Sequence, residues 1–135
     1  MAQAELRYDK DENIIFIRFA EPTELVTQAE ISAHFKRVVG YWRSHAKGKK
    51  CYFVVDIDNI TINMKEIEFY ARETDRAHAE CAISSVRYGG NHLHRTLTRL
   101  AGMKIHRPSN LYETREEAMD VVRALRAGEL KAGTG

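Results

Sequence analysis

The sequence predicts an α/β domain of order ββαβαβαβα, with a mostly parallel sheet and an antiparallel first strand. Three observations carry that expectation. Two short strand-like runs near the N-terminus flank a polar turn. Two continuous apolar runs, "CYFVVDI" and "CAISSV", have the character of strands covered on both faces. Between and after them lie stretches whose apolar residues recur at helical spacing. Strands alternating with helices imply parallel neighbours joined by crossovers.

Each element follows in order. "ELRYD" and "NIIFIRFA" form a hairpin around the turn "KDEN". Thr27, with Glu30 three places on, makes a capping box for a helix whose buried stripe is Ile31, Phe35, Val38, Val39 and Trp42. Lys47, Lys49 and Lys50 fall at or beyond its C-terminal end, where cations suit the helix dipole. Gly40 inside this helix costs about 1 kcal/mol and points to close packing. "CYFVVDI" is the next strand. Asn63 with Glu66 starts a second helix, faced by Ile67, Tyr70, Ala71 and Thr74. Cys81 opens the strand "CAISSV", and Asn91 caps a third helix with the stripe Leu93, Leu97, Leu100 and Ala101. "MKI", residues 103–105, reads as a short strand broken at Pro108. Thr114 and Glu117 form another capping box, and Ala118, Val121, Val122 and Leu125 face the core from the last helix. Residues 129–135 read as a frayed tail, which leaves 1–128 as one domain.

Composition agrees with a globular protein. The 135 residues are 44% hydrophobic and 30% charged, enough to bury a core and too apolar for a disordered chain. No apolar run is long enough for a membrane span, and the N-terminus lacks the apolar stretch of a signal peptide. Cys51 and Cys81 read as buried free thiols, which suits a reducing, cytoplasmic setting. A net charge of +2 argues against a dedicated nucleic-acid binder. Charge is unevenly spread: residues 31–55 and 81–112 hold no acid, while carboxylates gather in 56–80 and 113–120. Basic and acidic elements can complement one another across the surface, or form a patch for an anionic partner.

Two loops fall where an open parallel sheet meets its ligands, at the carboxyl ends of strands. The first holds Asp56, Asp58, Asn59 and Asn63. Its oxygens could hold magnesium or calcium, but a calcium loop needs further ligands, a glycine and a downstream Glu at fixed spacing. Asp residues ending a strand and an Asn capping a helix account for the same letters, and no metal is expected. The second is "VRYGGNHLHR". Glycines before a helix start allow close approach of an anion, and Arg87, Tyr88, Gly89, Gly90, Asn91, His92 and Arg95 form a candidate anion- or ligand-binding corner. A plain glycine turn with an Asn cap is the competing reading. His92 and His94 are two apart and make a poor chelating pair, and no nucleophile elbow or catalytic set is present. No cofactor is implied.

The segments "YFVVDIDNITI" and "IHRPSNLYETREEAMDVVRAL", together with the element order, resemble the STAS domain, and more closely its SpoIIAA-like branch, the fold of bacterial anti-sigma-factor antagonists. The resemblance implies a non-enzymatic regulatory or protein-interaction module acting through residues 64–78 and the loop before them. Its partner surface would comprise Asp58, Asn59, Thr61, Asn63, Glu66 and Glu73, facing a kinase, a sigma regulator or a second copy of the chain. Phosphoswitch members carry Asp-Ser-Ser or Asp-Ser-Thr at the start of that helix. Here the matching stretch is Asn63-Met64-Lys65-Glu66, with no hydroxyl, and Thr61 lies before it. The switch is therefore not expected. The fold is also similar to the lipid-binding SEC14 domain, which implies an alternative: a carrier holding a small anionic or apolar ligand at the strand ends.

Overall fold

In the computed structural model, residues 3–106 and 108–128 are described. β1 (Glu5–Asp9) and β2 (Ile14–Arg18) form the expected antiparallel hairpin. Its turn closes through Asn13, whose φ of 58° is one that Asn tolerates better than most residues, and the Tyr8 hydroxyl donates to Asn13 Oδ1 at 2.9 Å. Helix α1 (Gln28–His45) starts on the predicted box: Glu30 N donates to Thr27 Oγ1 at 3.1 Å, and Thr27 N to Glu30 Oε1 at 3.0 Å. Ile31, Val38 and Trp42 are buried, with Phe35 and Val39 packed beside them. Gly40 departs from expectation: nothing lies within 4 Å of where its Cβ would stand, so close packing does not explain it.

β4 (Cys51–Asp56) lies at the centre of a five-stranded sheet, with β2 parallel on one side and β6 (Ala82–Tyr88) parallel on the other. Two further strands were not legible as strands. β3 (Thr23–Leu25) and β5 (Ile60–Ile62) make a separate parallel pair that extends the fold beyond the main sheet. Asn63 caps a single 3₁₀ turn, Met64–Glu66, and α2 (Ile67–Cys81) begins only after it, so Glu66 does not complete a capping box. Cys81 closes α2 instead of opening the next strand.

The "MKI" expectation is overturned. Met103 and Lys104 belong to the last turn of α3 (His92–Lys104), where Met103 is exposed, and the fifth strand is β7 (Leu111–Tyr112), parallel to β6. Two apolar residues flanking Lys104 could not outweigh the continuing helical ladder behind them. Leu93, placed in the apolar stripe of that helix, is also exposed; Leu97 and Ala101 are the buried pair. α4 (Arg115–Arg126) is the last element among the described residues, with Thr114 Oγ1 accepting from Glu117 N at 3.2 Å. The predicted tail, 129–135, lies outside the described residues.

Alternation along the strands divides the core. Ile15, Ile17, Cys51 and Phe53 face α1, whereas Ile14, Tyr52, Val54 and Val86 pack on Ala118, Met119 and Val122 of α4. Ile62, Ile67, Ala71, Leu97 and Ala101 join β5, α2 and α3 in a third cluster. The acidic and basic segments do meet: Arg43 of α1 donates to Glu80 of α2 at 2.6 Å. Both cysteines are buried and free.

Candidate functional site

Asp56 pairs with Tyr88 across the ends of β4 and β6, so the two loops predicted separately lie side by side. Their relationship changes the chemistry expected of each. Gly89 and Gly90 both take φ near +80°, a conformation that glycine adopts without steric cost. A Cβ on Gly89 would stand 2.7 Å from Asp58 Oδ1. That oxygen accepts from the Gly90 amide at 2.6 Å, and the Asp58 amide donates to Asp56 Oδ1 at 2.9 Å. The anion-binding corner thus already holds an anion, the chain's own Asp58 carboxylate. Asp56 has its pKa raised, first by burial and further by the nearby Asp58 charge, against the opposing bond from the Asp58 amide. Among the described residues no group of three or more His, Cys, Asp and Glu side chains could hold a metal ion.

The other corner residues have structural duties. Arg95 Nη1 donates to the carbonyls of Gly89 and Tyr112, at 2.9 and 3.0 Å, and ties the turn to β7. Asn91 caps α3: its Oδ1 accepts from His94 N at 2.9 Å, and its own amide donates to His94 Nδ1 at 3.2 Å. His92 is exposed. Tyr88 packs beside the α4 cluster, and burial, then the Asp56 charge, pushes its pKa up. Arg87 is not part of the corner. It lies in register with Val55 of β4, on the face of the sheet that α1 covers, and its Nη1 donates to Ser109 O at 3.1 Å.

The expected partner surface divides in the same way. Asn59 Nδ2 donates to Phe19 O at 2.7 Å, and Asn63 Nδ2 to Val26 O at 3.0 Å, so both fasten the β3 segment to the segment that carries β5. Thr61 is half-buried within β5. Glu66 carries one buried carboxylate oxygen without a hydrogen-bond partner. Glu73 departs from the expected surface: it is only 8% exposed, accepts from Ser32 Oγ at 3.1 Å and pairs with Arg76. Asp58 and Lys65 stay outward-facing there, and two apolar side chains of which composition gave no hint join them. Met64 is 57% and Val26 42% exposed, on either side of the Asn63 cap.

A second feature lies behind Arg87. A cavity of about 280 Å³ lies between the sheet and α1, α2 and α3, with mostly apolar walls and with Arg87, Asn110, Ser85 and Asp75 among its polar lining. Burial draws the Arg87 guanidinium below its usual pKa, with Tyr70 beside it acting in the opposite sense.

No protein-family model matches the chain, and no curated protein matches it in sequence. Solved structures do match. An anti-sigma factor antagonist from Mycobacterium paratuberculosis superposes with a TM-score of 0.57 at 15% identity, over 91% of this chain and 95% of that one. The anti-sigma factor antagonist SpoIIAA in its unphosphorylated form gives 0.59 at 14%, over 90% and 96%. The fold is SpoIIAA-like. An uncharacterised protein from Shewanella loihica, described as having the same SpoIIAA-like fold, matches at 0.57 and 13%, over 90% and 95%. The antiparallel first strand, the parallel remainder and the four helices of this chain correspond to that SpoIIAA-like architecture. No helix among the described residues is long and apolar enough to cross a membrane.

Proposed function

We propose that this chain is a non-enzymatic, STAS-like regulatory module that binds a protein partner through the surface around Asn63, without a phosphorylation switch. One observation carries the reading. Where phosphoswitch proteins of this fold would begin their helix with an acceptor serine, this chain has a bonded Asn63 cap flanked by exposed Met64 and Val26. Asn63 N donates to Leu25 O and its side chain to Val26 O, both at 3.0 Å. Two apolar side chains held on a fixed turn favour contact with another protein, whereas phosphorylation needs a hydroxyl that the turn lacks. Asp58, Asn59, Thr61 and Glu66 would supply the polar rim.

The fold of anti-sigma factor antagonists supports a regulatory role in general. The test is affinity purification of the tagged chain from its own host, with Met64→Glu and, on the opposite face, Asp120→Lys in parallel. The reading expects a partner, or a second copy of the chain, retained by wild type and Asp120→Lys and lost from Met64→Glu. Equal retention by all three would overturn it. So would phosphate found on any residue of the 58–66 stretch by intact-mass and fragment analysis.

A further inference from the structure

We propose that the cavity behind Arg87 is a binding site for a small monoanionic carboxylate, with a hydrogen-bond donor beside the carboxylate and a short apolar tail. The proposal stands independently of the contact surface around Met64. A guanidinium offers five donors, and the structure gives Arg87 a side-chain bond to Ser109 O and no ion-pair partner among the described residues. A half-buried cation without a counter-charge is unfavourable, and a ligand carboxylate would supply that charge.

Asn110 is the second observation. It is 7% exposed, its Nδ2 donates to Ser85 O at 3.0 Å, and its Oδ1 is buried with no hydrogen-bond partner. Arg87 N donates to Asn110 O at 2.8 Å, so the two residues adjoin along the backbone, and both line the same cavity. An acceptor next to a cation asks for a ligand that carries a donor next to its anion, as a 2-hydroxy acid does. Asp75 also lines the cavity but already has a partner of its own.

Size sets the rest. At about 30 Å³ per water-sized group, 280 Å³ accommodates roughly nine such groups, well short of a membrane lipid. The walls also include Phe53, Val38 and Ala71, which suit a short aliphatic chain.

The test is titration of the intact protein with 2-hydroxyhexanoate, hexanoate and hexan-1-ol, followed by calorimetry and by amide chemical shifts. The proposal expects 2-hydroxyhexanoate to bind more tightly than hexanoate, and hexanoate more tightly than the alcohol. It expects the largest shifts at Ser85, Arg87 and Asn110. Arg87→Met should weaken both acids by about tenfold or more and leave the alcohol unchanged. Failure of both acids to bind at millimolar concentration would overturn it. So would equal binding of acid and alcohol by wild type, or shifts centred on the Gly89–Gly90 turn. The wild-type ranking needs no variant, so poor folding of Arg87→Met would leave the decision intact.

Discussion

The Asp58 carboxylate accepts a hydrogen bond of 2.6 Å from the Gly90 amide, so the loop after the central strand closes the loop after its neighbour. Glycine at 89 follows from this carboxylate, 2.7 Å from where a Cβ would stand, and glycine at 90 from its other neighbours. A Cβ on Gly90 would stand 2.9 Å from carbons of Ile57 and from His94 Cβ, at a φ of +80°.

Gly90→Ala should therefore destabilise the protein by about 1–3 kcal/mol, from strain at positive φ together with the clash. Asp58→Ala should cost about 0.5–1.5 kcal/mol, the usual net contribution of one hydrogen bond. Urea unfolding measures both. An effect within 0.5 kcal/mol for either would mean that the two loops are not coupled as described.

His34 packs against Phe19 and Phe35, with ring centroids 5.5 and 4.9 Å away. Burial, reinforced by Arg37, draws its pKa down from 6.5 to about 4. In the unfolded chain His34 takes up a proton near pH 6.5, while the folded protein refuses it until about pH 4. The unfolded state then binds more protons across that window, so stability falls as pH drops from 6.5 to 4, by up to roughly 3 kcal/mol. Asp56, whose pKa is raised, contributes with the opposite sign, so the wild-type curve alone does not isolate His34. Comparison with His34→Leu does. The variant should lose distinctly less stability over that interval, and parallel curves would contradict the assignment.

The two thiols should be chemically quiet. Burial pushes Cys51 up to about 12, with Cys81 adding to it, and burial followed by the Glu80 charge pushes Cys81 up to about 11. At pH 8 both are thiols rather than nucleophilic thiolates. Alkylation by iodoacetamide should be slow in the native protein and fast in guanidinium chloride. Native labelling of either cysteine at the rate of a free thiol would show that α2 opens readily at its C-terminal end.

Much of this fold was legible because its signals are local. The Thr27–Glu30 box, the "KDEN" turn and the apolar runs around Val54 and Val86 each specify their element within a few residues. What failed depended on partners distant in sequence. β3 and β5 are three residues each, and they exist as strands only because Thr23 meets Ile60 and Leu25 meets Ile62. Met103 followed the helix behind it, since nothing in "MKI" could show that the fifth strand would form at Leu111.

The site was legible in parts. The loops were found, but their mutual closure was not, because no spacing rule brings Asp58 onto Gly90. Arg87 was assigned to the turn it precedes. Its register with Val55, two residues beyond the pairing of Phe53 with Ser85, sends it to the face that α1 covers instead. Strict alternation from Phe53 and its partner would have been the clue. Asn110 gave no sequence signal, as its buried oxygen matters only beside Arg87.

The most direct test of the central claim is photo-crosslinking in the native host, with a photoreactive residue at position 64 and, as control, at position 120. The account predicts a discrete adduct from position 64, identifiable by mass spectrometry as one partner protein or a second copy of the chain, and none of the same identity from position 120. The same adduct from both positions, or none from position 64, would contradict a partner surface at the Asn63 cap.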